Sequence, residues 1–159
     1  MSSLQKIDSI AIIIMSILGA IFFLMASFVF KNLDANCPSS TIRNGWAFIQ
    51  ALGACMLVAG ISYFVCVLFG GNCYSSADSV RTIEVYFGIF AFFCLLIVGL
   101  CGGMLKEYSN LSPTDKTNCD DGKNTTKRSI MFVTVISGLG LLGSIGFFIK
   151  VHFEEKNIV

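Results

Sequence analysis

Seven cysteines, a single histidine and a run of acids near residue 120 are the side chains in this 159-residue chain with the means to react or to bind a metal. Four of the cysteines (Cys55, Cys66, Cys94 and Cys101) stand in apolar runs, where a thiol serves as a small packing group. The other three, Cys37, Cys73 and Cys119, stand in polar stretches. No Cys-x-x-Cys occurs, which argues against the membrane thiol oxidoreductases of the four-helix type, because these need a close redox pair with a lowered thiol pKa. Cys37 and Cys119 form a candidate disulfide pair, with two free thiols as the alternative.

Metal and acid-base chemistry find less support. His152 lies just beyond the last apolar run, at a depth that suits the membrane interface better than a metal site. Asp115, Asn118, Asp120, Asp121 and Gly122 resemble a calcium loop only on the surface. With Gly122 as the invariant glycine, Thr117 and Cys119 take the first two ligand positions and Arg128 replaces the closing Glu. A solvated turn is the expectation for these acids. No catalytic residues, metal or cofactor are assigned, and the chain is expected not to be an enzyme.

These groups are held between four runs without charge. Residues 10–30, 46–69, 85–105 and 129–149 contain no Asp, Glu, Lys, Arg or His. A helix rises about 1.5 Å per residue, so roughly 20 apolar residues cross a hydrocarbon layer of roughly 30 Å. With 55% of residues hydrophobic and 13% charged, the charges fall in the loops and tails, whereas a soluble domain would spread them through its helices. The first run is too long for the apolar region of a signal peptide, and Leu24 stands where cleavage near Ala26 would want a small residue, so it reads as a retained span. The expected fold is an all-α membrane protein: a four-transmembrane-helix antiparallel bundle, one integral membrane domain over residues 1–159, with polar loops 31–45, 70–84 and 106–128.

Small residues mark the expected packing faces. Ala47, Ala51, Cys55 and Ala59 recur at every fourth position of the second run, Gly99 and Gly103 close the third, and Gly140, Gly143 and Ser144 lie in a Gly- and Ser-rich stretch of the fourth. Such ladders let backbones approach closely in lipid, so the second and fourth spans are expected to meet. Trp46 at the mouth of the second run is expected to straddle the interface. Gln50, the sole amide in a span, is expected to satisfy a neighbouring helix.

Two signals oppose each other on orientation. Loops one and three hold seven Lys and Arg against four in loop two and the tails, which by the positive-inside rule makes those loops cytoplasmic. Yet the same loops carry Cys37, Cys119 and two glycosylation acceptor sequences, at Asn124 and at Asn110, the latter weakened by Pro113. The adopted expectation places the termini on the cytoplasmic side.

Charge-free spans argue against an ion-coupled carrier, since intramembrane charges mark ion and proton paths. A net charge of +1 gives no reason to expect nucleic acid. Four spans are shared with tetraspanins and claudins, but the Cys-Cys-Gly of the former is absent and a single Trp cannot supply the first-loop signature of the latter. The expected function is that of a structural or assembly subunit, anchoring a larger complex to an organellar or virion internal membrane. Its expected partners are the lipid bilayer and other membrane or membrane-apposed protein subunits. The alternatives are a small-molecule carrier or channel, or a tetraspan cell-surface organiser.

Overall fold

The computed structural model describes residues 3–33, 37–68, 79–120 and 125–156. Asn124 and Cys73 lie outside the described residues, as do the side chains of Tyr63, Cys66 and His152. The described chain is all helical: α1 (Ser3–Asn32), α2 (Ser40–Leu68), α3 (Ser79–Asn110), α4 (Pro113–Asp120) and α5 (Thr125–Lys156). Four of the five are long and apolar enough to cross a membrane, over Ile12–Lys31, Ser40–Ser62, Phe87–Asn110 and Thr125–Lys150.

The helices outrun their apolar stretches because local caps, rather than the nearest charge, set where they begin. Ser39 precedes α2 and its Oγ accepts the Ile42 amide at 3.3 Å. The helix therefore begins at Ser40, well before Trp46. Within loop three, Ser112 caps α4 through the Asp115 amide at 3.2 Å, while its own hydroxyl donates to the Asp115 carboxylate at 2.6 Å. Each partner thus satisfies the other across the first turn. Pro113 then fits the first helical position, where no amide hydrogen is needed.

The tightest seam joins α1 to α2. A Cβ placed on Gly53 would stand 2.7 Å from the Phe23 amide nitrogen and 2.9 Å from the Gly19 carbonyl oxygen, so the two backbones touch there. Ser16 fills the space above Gly60, and Gln50 Nε2 donates to Ser27 Oγ at 3.0 Å. The Ser27 hydroxyl in turn donates to the Phe23 carbonyl at 2.7 Å. Contacts thus climb α1 as they descend α2. Between α3 and α5 the fit is made by larger groups: Phe87 stacks on Phe147 at 5.3 Å, and Gly140 receives Cys94 and Phe90. Met104 of α3 packs onto Gly45 of α2 and links the two pairs. One apolar cluster runs through all four long helices, from Met15 and Phe22 to Trp46, Ile97 and Val133.

This arrangement corrects the expected packing faces. Ala47, Ala51, Cys55 and Ala59 are exposed, and α2 turns its opposite side, Ile49, Gly53, Met56 and Gly60, inward. Gly53 is two residues from Ala51, about 200° around the helix. Glycine wins because it alone lets backbones meet without a Cβ between them. Gly140 contacts α3 and α1 through Cys94, Phe90 and Leu18, whereas Gly143, Gly99 and Gly103 would place a Cβ in open space. Ser144 is buried, with its hydroxyl donated to the Gly140 carbonyl of its own helix. The expected seam between the second and fourth spans is therefore replaced by α1 against α2 and α3 against α5. Trp46 is also relocated. It is 0% exposed in the core, because α2 starts early enough to carry the indole inside.

Candidate functional site: a stapled polar cap and an apolar side groove

At one end of the helices a disulfide and a cluster of described polar side chains come together. The stretch before α2 meets the end of α4 through a Cys37–Cys119 disulfide, with S–S 2.03 Å, Cα–Cα 4.6 Å and a sequence separation of 82. Next to it Asp120 is 4% exposed, and both of its carboxylate oxygens are engaged. The Thr126 amide, at the start of α5, donates to its Oδ1 at 2.8 Å, and the Tyr108 hydroxyl, near the end of α3, donates to its Oδ2. Thr126 Oγ1 donates to the Cys119 carbonyl at 2.8 Å. A buried carboxylate is tolerable here because it meets two donors and the positive end of a helix dipole.

Lys116 closes this cluster from outside. Its ammonium donates to the Ser109 carbonyl at 3.1 Å and sits 5.9 Å from the Tyr108 ring centroid. That distance is within cation-π reach. The cap therefore ties α3, α4 and α5 by hydrogen bonds and ties all three to the α1–α2 pair by one covalent bond. Asp120 is accordingly not the solvated turn residue that its sequence neighbours imply. Asn110, one of the two acceptor asparagines, ends α3 and is exposed.

Along the side of the helices an apolar groove of about 400 Å³ opens between α1, α3 and α5. Met15 and Leu18 form one wall, Phe90 and Phe147 another, and Leu139 and Gly143 complete it. Gly143 widens the groove because nothing occupies the space where its Cβ would stand. Among the lining residues Ser144 alone carries a hydroxyl, and that group is already spent on its own helix. The lining thus offers shape and dispersion contact and no polar handle.

Two buried polar atoms lack a hydrogen-bond partner among the described residues: Trp46 Nε1 and Ser137 Oγ. Among those residues no three His, Cys, Asp or Glu gather closely enough to hold a metal. Sequence reasoning missed α4, the burial of Asp120 and the Gly19–Gly53 contact. The signals were present as Ser112-Pro113-x-Asp115 for the helix start and as Gly53 and Gly60, seven apart in sequence and hence on one helix face. No protein-family model, no curated protein and no solved structure matches the chain.

Proposed function

We propose that this chain is a non-enzymatic, antiparallel four-span membrane protein that serves as a structural or assembly subunit, anchoring a larger complex to its membrane. The observation that carries the reading is the unused set of small residues. Ala47, Ala51, Cys55 and Ala59 on α2 and Gly99 and Gly103 on α3 are exposed, while the internal seams are made by other positions. Lipid gives helices no hydrophobic reason to associate, so close approach over small side chains is the main source of lateral affinity. Two such faces pointing away from the protein's own core fit helices contributed by other subunits. The opposite-sense contacts along α1 and α2 support the antiparallel topology.

The disulfide supports an orientation with the cap in an oxidising compartment and the termini on the cytoplasmic side. That membrane is either organellar or the internal membrane of a virion. Cys55 provides the test, since it is an exposed thiol at the centre of the α2 face. Mild oxidation in native membranes is expected to trap Cys55 in a cross-linked species that Ala51→Leu weakens without lowering the thermal stability of the monomer. Solute transport by the purified chain in liposomes, with no cross-linked species formed, would overturn the proposal.

A further inference from the structure

The cap carries five cations that the described residues leave unpaired. Lys31, Arg43, Lys106, Lys127 and Arg128 are all exposed, and among the described residues none of these side chains makes a hydrogen bond or an ion pair. Among the described residues the nearby acids do not neutralise them. Asp120 is buried against Tyr108 and Thr126, and Asp115 is held by Ser112. Glu107 follows Lys106 but points about 100° away around α3. Lys116, by contrast, is already engaged at Ser109 and Tyr108.

Their depths coincide, and every long helix contributes. Ser27 bonds to Gln50, so Lys31, one turn beyond Ser27, is level with Trp46, one turn before Gln50. Arg43 lies within one turn of Trp46. Met104 packs on Gly45, which brings Lys106 to the same level. Tyr108 and Thr126 share Asp120, which aligns Lys127 and Arg128 with it. Five flexible cations therefore ring the bundle within about a helical turn, at the edge of its apolar zone.

We propose that this girdle binds the phosphate groups of anionic phospholipids in the leaflet on the cap side. The inference rests on the reading of the four apolar helices as spans, and it goes beyond lateral assembly. Lys and Arg at such a depth lay their stems along the apolar surface and deliver their charge at the headgroups.

The full chain, reconstituted in nanodiscs of phosphatidylcholine with phosphatidylglycerol, is released into the gas phase and the retained lipids are counted by native mass spectrometry. Phosphatidylglycerol is expected to be retained in preference, with a loss of about fivefold for each cation neutralised to Gln. The preference is expected to fall as salt is raised. The K31Q/R43Q/K106Q/K127Q/R128Q variant is checked for its disulfide on a non-reducing gel, and the single variants carry the test if it does not fold. Equal retention of both lipids, or a preference that the single and combined variants leave unchanged, would overturn the proposal. Carbonate extraction reads membrane insertion separately, so failure of the girdle and failure of the four-span reading are distinguishable.

Discussion

The two faces of α2 are both lined by small residues and do opposite things. Gly53 and Gly60 on one face press against α1, where even a methyl group would collide with backbone or with Ser16, whereas Ala47, Ala51, Cys55 and Ala59 on the other are exposed. The inner face spends its smallness on the fold. The outer one has smallness to spare, and that surplus supports an intermolecular role. A small-residue ladder is therefore a statement about approach, and which neighbour approaches is decided by whether the residue has a Cβ at all.

The sharpest way to break the comparison is to place the same side chain on each face. Gly53→Leu is expected to destabilise the fold by about 3 kcal/mol or more, read as a lowered thermal midpoint in detergent, because backbone cannot step aside as a flexible side chain can. Removing the staple by Cys37→Ser with Cys119→Ser should cost about 2 to 3 kcal/mol, measured the same way. That is less than the loop-entropy value for so long a separation, since helices already inserted in a bilayer gain less freedom when the bond is cut. Asp120→Ala is expected to follow at about 1 to 3 kcal/mol, as it uncaps α5 and leaves the Tyr108 hydroxyl without its carboxylate. Faster hydrogen exchange confined to residues near Thr126 would be its local signature. Ala51→Leu should move stability least, by about 0.5 kcal/mol or less, while reducing cross-linking through Cys55. If Ala51→Leu destabilised the monomer as much as Gly53→Leu, the distinction between the faces would fall.

The four apolar helices were legible because a charge in hydrocarbon is costly and its absence over a run long enough to span leaves few alternatives. Their pairing was not. The steps of four from Ala47 to Ala59 and the step of seven from Gly53 to Gly60 each keep to one helix face, and periodicity carries no information about which face a neighbour selects. Gln50 could be read as a group seeking another helix, and it reaches Ser27. Trp46 misled because a Trp at the edge of an apolar run is a good marker of an interface only if the helix begins there, and Ser39 starts α2 earlier. Asp120 misled for a related reason. Beside Asp121 and Gly122 it has the composition of a solvated turn, and its burial depends on Tyr108 and Thr126, which come into reach only through the fold.

The bond between Cys37 and Cys119 also alters what counts as one molecule. It closes residues 37 to 119 into a covalent ring, with α1 and α5 as the two arms outside it. A single cut by a protease anywhere inside that ring, including the stretch joining α2 to α3, releases no fragment. The nicked chain would migrate at full mass without reductant and as two pieces with it, so the protein can lose the continuity of its backbone and still keep both helix pairs on one covalent tether.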